Sequence, residues 1–472
     1  MADDSAVTQV PAAELLPQLH PRTASLAQQL IDLLQQVMLF APPPCEVQGQ
    51  PRRPRGRPAE LALSHLYLAL LYGVLRHASH LTTIWRRLSL EAIGSWPPVR
   101  LTYEAVRKRL LTAGTAGLEE LFALLCRGLA AWSQARQPSA LSLAAFAPQV
   151  VALDETTLDQ VRRLTDDLAE LPAGDPHLLP GKLAGLFDLR QQRWVRLQFR
   201  ADVLAYCNVG ILLLLEGLER GSLILADLGY FSFPWFDYLS GQGYWWVSRL
   251  KDGVSYEIEQ VVAYDDHTGL LDAIVWLGKY RADRTAHRAR LVCFTLGSTT
   301  YRYVTNVLDG RQLSLQDIAQ LYARRWDIEL AFKVLKCELG LRLWWGARPE
   351  LVLIQLWLAL ILAQLLHALQ LHLAQQAHVD PFDVSLHVLC EVLDLQPAGP
   401  TPTLERLVQT GRDLGLIRPS SRLQVVVPAA PTRLPAPLPD LTPRMRHARY
   451  AQRNAHPRAA PFVSRFSTQL LL

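Results

Sequence analysis

Cysteine is sparse and scattered. The six cysteines, at positions 45, 126, 207, 293, 337 and 390, include no CxxC pair, which argues against a thiolate zinc site or a disulfide framework and fits a reducing compartment. The N-terminal MADDSAVTQV has no basic region followed by an apolar run, so no secretory signal is read there. A strong charge of one sign is also lacking. The net charge of +5 and pI near 8.9 are only mildly basic, and it is the local clustering of basic residues that admits a nucleic-acid partner. One stretch alone is apolar enough to suggest a membrane span, Leu351 to Leu373. It is interrupted by Gln355, Gln364, His367 and Gln370 and flanked by Arg348 and Glu350, so a buried packing helix is expected. What is present is a chain of 472 residues, 50% hydrophobic and 19% charged, enough to bury one large core or about two to three smaller ones.

The most informative stretch is LYARRWDIELAFKVLKCELGL, Leu321 to Leu341. At about 100° per residue, Tyr322, Arg325, Glu329 and Lys336 fall on one helical stripe roughly 60° wide. Ser314 and Asp317 form a capping-box pattern ahead of it, and Gly340 is a C-terminal stop signal. A carboxylate flanked by cations and a phenol suits an anionic ligand together with a metal. One Glu cannot hold two divalent ions, so further acidic residues are required upstream.

Taken in order, residues 1–57 hold an amphipathic helical pattern and a Pro-rich linker ending in Arg52, Arg53, Arg55 and Arg57, readable as a spacer or as a phosphate-tracking arm. Residues 58–147 are helical in pattern. Within them LTYEAVRKRLL, capped by Thr102, presents Arg107, Lys108 and Arg109 like the second helix of a helix-turn-helix, which marks the region as a candidate DNA-binding domain. At Pro148 the pattern changes. Val150 to Leu153 reads as a short strand delivering Asp154 at its end; strand-like runs follow at 182–189 and 193–199, then a helix at about 203–220. SLILADLGY gives a buried strand ending at Asp227, and YWWVSRL, Tyr244 to Leu250, gives a fifth. The segment from about 251 to 310 is too long for a simple connection, and its alternating runs predict a β-rich insertion ahead of the Glu329 helix. Three strands, helix, strand, helix, strand and a later helix is the order of a ribonuclease H-like core, in which the first and fourth strands are neighbours. That places Asp154 and Asp227 side by side at strand ends. The fold class read here is α/β, a ribonuclease H-like catalytic core at 148–345 with a β insertion, flanked by helical regions. Residues 346–395 are helical, and 396–472 are Pro- and Arg-rich, with six arginines from Arg444 onward, for which disorder is expected.

The Tyr, Arg, Glu, Lys helix, the Asp ending a first strand, the Asp-x-Gly-Tyr turn at Asp227 and the Thr305-Asn306 strand end together resemble the DDE transposases of bacterial insertion sequences that carry the YREK signature. The resemblance covers about Val150 to Leu341. It implies that Asp154, Asp227 and Glu329 are catalytic and hold two Mg2+ ions, with Mn2+ able to substitute. It further implies that Tyr322, Arg325 and Lys336, with Lys333, contact phosphates of a double-stranded DNA end, and that a homodimer pairs two terminal inverted repeats in the cytoplasm. A flipped base would stack on an aromatic residue of the insertion, for which Trp276 is the candidate, with Trp326 the alternative. Two positions depart from the family pattern. Glu155 stands where Gly or Ser is usual, which bears on local loop shape, and Leu228 stands where Arg is usual, which removes a cation. Neither is a metal ligand. Two readings compete with cut-and-paste transposition: a decayed or domesticated DNA-binding protein that keeps the fold, weakly favoured by Leu228, and a helical membrane protein built on Leu351 to Leu373.

Overall fold

The computed structural model describes residues 61–93, 96–134, 143–158, 182–200, 211–278, 284–341, 344–346, 348–394, 404–420, 425–431, 433–441 and 469–470. The helical and arginine-rich readings on residues 1–57, the first part of the helix expected at 203–220 and the arginines from Arg444 onward lie outside these.

Among the described residues ten strands form one mixed sheet, flanked by helices on both faces. Strand β2 (Lys182–Asp188) runs antiparallel to both its neighbours, β1 (Val150–Thr157) and β3 (Arg193–Arg200), whereas β4 (Leu223–Ala226) is parallel to β1 and β5 (Trp245–Arg249) is parallel to β4. The all-apolar LILA of β4 is buried throughout, as expected of a central parallel strand covered on both sides. Beyond β5 come β9 (Thr299–Thr305), β8 (Ala289–Leu296), β7 (Leu270–Leu277) and β6 (Tyr256–Asp265). The expected β insertion is therefore an extension of the same sheet, because β9 turns back antiparallel along β5. Asn306 secures this junction: its amide accepts from Trp246 N at 2.9 Å and donates to Tyr244 O at 2.8 Å. A two-residue β10, Gln469–Leu470, pairs with β3 at the opposite edge.

Alternation assigns each strand residue to a face. Val150, Ala152, Leu223, Leu225 and Val247 belong to one core cluster, and Val151, Leu153, Ile224, Ala226 and Trp246 to the other. On the first face lie α1 (Leu63–Leu75), α2 (Leu81–Leu90), α3 (Tyr103–Ala113), α4 (Ala116–Gln134), α7 (Leu315–Arg324), α8 (Trp326–Lys333) and α9 (Pro349–Ala377). On the second lie α5 (Ile211–Leu215) and α6 (Phe233–Gly241).

Helix α9 is long and apolar enough to cross a membrane, and 89% of its most apolar window is buried inside the protein. Its three glutamine interruptions are each satisfied there. Gln355 accepts from Trp345 N, Gln364 accepts from Trp194 N, and Gln370 donates to Pro381 O and Val384 O. Those glutamines are docking points for neighbouring backbone, which is what a packing helix needs and a lipid-facing one does not.

Four local expectations change. The helix read to residue 220 ends at Leu215, where Gly217 takes a left-handed φ of 77°. Strand β1 runs three residues past Asp154 because the β2 partner continues beside it. Between α2 and α3 the whole segment 91–102 intervenes, longer than the tight turn of a helix-turn-helix. In the tail read as disordered, α11 (Leu404–Thr410) and the segment 425–431 are ordered, after α10 (Leu386–Asp394). Leu407, Leu416 and Ile417 enter the core, and the Gln316 amide of α7 pairs with the backbone of Val425 and Val427 at 2.6 and 2.9 Å.

Candidate functional site

The parallel ladder between β1 and β4 ends at Leu153 opposite Ala226. Asp154 and Asp227 are the next residue on each strand, and Asp227 keeps an extended backbone (φ −73°, ψ 166°) before the chain turns into the short helix Leu228–Tyr230. By alternation both carboxylates project to the face of Val150, Ala152, Leu223 and Leu225, the face that α7 and α8 cover. Glu329 lies on α8, and Arg325, at the junction of the two helices, bridges the elements. Its Nη2 donates to Glu329 Oε1 at 2.6 Å and its Nη1 meets Asp154 Oδ2 at 3.4 Å.

Burial is the largest influence on Asp154 and pushes its carboxyl up to about 6; the Glu155 N–H, which donates to Oδ1 at 2.8 Å, and the Arg325 guanidinium pull the other way, while Glu329 and Asp227 raise it further. Asp154 thus senses both Glu329 and Asp227 in a partly desolvated volume. Arg325 is the cation of that volume, resting 5.6 Å from the Tyr322 ring centroid and 5.8 Å from that of Trp326. Among the described residues no three acidic, histidine or cysteine side chains stand close enough to share one metal ion; the guanidinium lies between Asp154 and Glu329.

Both departures from the expected pattern find a physical account. Glu155 faces the other side of the sheet, where it pairs with Lys182 at 2.9 Å and Arg200 at 3.4 Å, so its charge stays out of the Asp154 face. The cation missing at Leu228 has a counterpart one strand over. Leu225 pairs with Val247, so two residues further on Arg249 lies level with Asp227, exposed and on the same face. Sequence reasoning missed Arg249. Its signal was the parity shared with Val247, but that parity becomes informative only once the parallel register is known.

Residues 182–365 match the family model described as "Transposase DDE domain". The chain carries a transposase DDE domain. The matched span includes Asp227, Tyr322, Arg325, Glu329 and Lys336 and begins after Asp154, which the sheet register adds. Among curated proteins the chain is similar to "Transposase InsG for insertion sequence element IS4" of Escherichia coli (strain K12), 26% identical over 34% of this chain and 38% of that one. It is also similar to a protein named as a transposase, y4zB, of Sinorhizobium fredii, 28% identical over 32% and 43%. The chain therefore spans less than half the length of these relatives. A cryo-EM structure of a piggyBac transposase synaptic complex with hairpin DNA superposes with a TM-score of 0.36 at 9% identity, covering 75% of this chain and 76% of that one; at that score the likeness carries no argument.

The remaining candidates of this transposase domain and its helical layer are placed as follows. Tyr322 is buried beneath Arg325 and packs on Tyr303 at 5.1 Å, and burial pushes its phenol up to about 12; it is a platform for Arg325 more than an exposed contact. Lys333 is exposed at the end of α8. Lys336 lies in a π-helical turn, Val334–Glu338, whose wider i→i+5 winding shifts it from the stripe calculated at 100° per residue. Lys108 and Arg109 are exposed on α3, and Arg107 pairs with Glu104 at 3.2 Å. Trp276 donates to Glu259 at 2.8 Å and lies under Arg284, whereas Trp326 is 43% exposed beside Arg325.

Proposed function

We propose that this chain is a DNA transposase of the YREK group that cuts and rejoins phosphodiesters at Asp154, Asp227 and Glu329, within a ribonuclease H-like core. The strand order β3-β2-β1-β4-β5, with β4 and β5 parallel to β1, supports the core assignment. One observation carries the reading. Asp154 and Asp227 occupy equivalent positions just past a parallel ladder, on the face where Arg325 ties Asp154 to Glu329.

The donor set fits a divalent cation. All three groups are hard oxygen ligands, and the Arg325 guanidinium is a cationic stand-in already seated between two of them. When bound, two Mg2+ ions, or Mn2+ in their place, would polarise a water or 3′-hydroxyl and stabilise the departing oxygen. The chain's own residues supply the rest. Rigid strand ends fix Asp154 and Asp227, and Arg325, released from the carboxylates, faces a DNA phosphate from its Tyr322 platform. Arg249, Lys333 and Lys336 add phosphate contacts around it, and Arg107, Lys108 and Arg109 supply a second, distant contact with double-stranded DNA. Trp326, exposed next to Arg325, is better placed than Trp276 to stack on a flipped base, because Trp276 already holds Glu259 and Arg284. Action on terminal inverted repeats by a homodimer in the bacterial cytoplasm completes the proposal.

The test uses the purified full-length chain, duplexes ending in the inverted repeats that flank its gene, and Mg2+. Nicking at the repeat end is expected, with Asp154→Asn abolishing it while end binding persists. Repeat binding with no metal-dependent nicking would instead support the reading of a DNA-binding protein that keeps only the fold.

A further inference from the structure

Two ion pairs run along the helical segment that carries Glu329, on opposite sides of it. Arg325 and Glu329 face the carboxylates. Arg324 and Asp327 face inward and are 1% and 3% exposed. Arg324 grips Asp380 with two nitrogens, at 2.8 and 3.1 Å, and approaches Asp327 Oδ2 at 3.6 Å. On the far side of Asp327, Gln192 Nε2 donates to Oδ2 at 2.8 Å and to Leu189 O at 2.9 Å. Gln364 of α9 then continues the chain of contacts: its Nε2 donates to Gln192 O at 3.5 Å and its Oε1 accepts from Trp194 N at 3.0 Å. The β2–β3 hairpin, α8, α9 and the turn at Asp380 are thus joined by one buried polar network.

Fold stability is a poor explanation for it. Apolar side chains of similar volume generally stabilise a buried site at least as well as two acids around a guanidinium. Gln192 moreover holds a left-handed φ of 48°, a conformation that suits Gly or Asn and that a glutamine adopts at some cost. What the network does fix is rotation. Asp327 and Glu329 are two residues apart, about 200° around the helix, so holding Asp327 sets the direction of Glu329. With the Glu329 carboxylate about 6 Å from the helix axis, a rotation of roughly 20° would move it by about 2 Å, enough to take it out of reach of a cation shared with Asp154.

We propose that Asp327, held between Gln192 and Arg324, is the positioning residue that sets the rotation of α8 and so aims Glu329 at Asp154 and Asp227. The inference rests on the reading of Glu329 as a metal ligand.

Full-length wild type, Asp327→Asn, Gln192→Gly and Glu329→Gln are compared by Mn2+ titration followed by EPR, by thermal melting without metal, and by nicking kinetics. Gln192→Gly is the sharper variant, since glycine is at ease at this φ and offsets part of the lost hydrogen bonding, and a purely architectural Gln192 predicts unchanged Mn2+ binding by the folded protein whatever the shift in Tm. Positioning predicts that, at a temperature where every variant is fully folded, Mn2+ affinity falls about tenfold and kcat falls about 10- to 100-fold, with little change in KM for the DNA end. Asp327→Asn, which keeps the volume and removes the charge, is expected to move the same readouts in the same direction. Normal Mn2+ binding and nicking by Gln192→Gly, beside a defective Glu329→Gln, would overturn the positioning role alone. A wild type that behaves like Glu329→Gln would remove the metal-site reading and this proposal with it.

Discussion

Asp154 and Arg325 balance each other, and each yields a measurable consequence. With its carboxyl raised by burial to about 6 against about 3.9 in an unfolded chain, the folded protein binds the Asp154 proton more tightly than the unfolded one. Between about pH 4 and 6 the native state therefore holds more protons, and metal-free stability should decline as pH rises through that window, by up to about 3 kcal/mol. In EDTA, Asp154→Asn should match wild type near pH 4 and melt at a higher temperature above pH 6; parallel pH profiles for the two proteins would refute the assignment. Arg325→Ala addresses the opposing charge. Without the guanidinium, Asp154 and Glu329 lose their shared donor, a loss of about 1–3 kcal/mol for bonds to charged groups. Added Mn2+ should then raise the Tm of Arg325→Ala by more than it raises that of wild type. An equal or smaller rise would mean that the guanidinium and the cation do not share a place. At this scale the sequence was legible where chemistry and local period coincide: Asp154 and Asp227 each end an apolar run, and Glu329 sits in a spaced motif. Arg249 and Gln192 were not legible, because their meaning comes from a parallel register and from a hairpin packed against a distant helix.

The strands show how an element carries the site. Gly185 of β2 stands directly opposite Asp154, and a Cβ there would come within 2.8 Å of the Trp194 ring and 2.9 Å of Leu197. Trp194 in turn rests on Phe332 of α8, with ring centroids 5.0 Å apart, so the space beside Asp154 is closed by the helix that bears Glu329. Gly185→Ala should destabilise the fold by about 1–3 kcal/mol through overpacking, seen as a lower urea midpoint with an unchanged m-value. An unshifted midpoint would show that Trp194 can give way without cost. Alternation and turn residues made β1 to β5 readable in advance, and their faces followed from the same alternation. The helix that carries Glu329 was readable as helix but not in its fine geometry. Nothing in VLKCE announces a π turn, since the extra residue per turn answers packing from α9 and α10 rather than local propensity.

Across the whole molecule, long-range contacts bring together what composition separates. The Pro-rich tail read as unstructured because its own sequence offers few periodic apolar residues, yet Val425 and Val427 find their partners in the Gln316 amide, about a hundred residues earlier. The β extension is tied to the site in a similar way. Arg290 of β8 makes a two-pronged bond to Asp272 of β7, at 2.7 Å on each side, and its third nitrogen donates to Leu313 O at 2.6 Å, immediately before the Ser314 cap that starts α7. Both side chains are almost fully buried. Asp272→Ala would leave the Arg290 charge buried without its acid, a loss of about 3–5 kcal/mol. The damage should not stay in the extension, because the same guanidinium anchors the start of the helix that leads to Arg325 and Glu329. Hydrogen exchange should therefore quicken at β8 and in the first turn of α7 together, while α4 and α9, which pack on each other through Phe122 and Trp357, keep their protection. Faster exchange confined to β7 and β8 would mean that the extension is a passive addition to the sheet. Joint loss would mean that it holds the helix bearing Glu329 in place from the far edge.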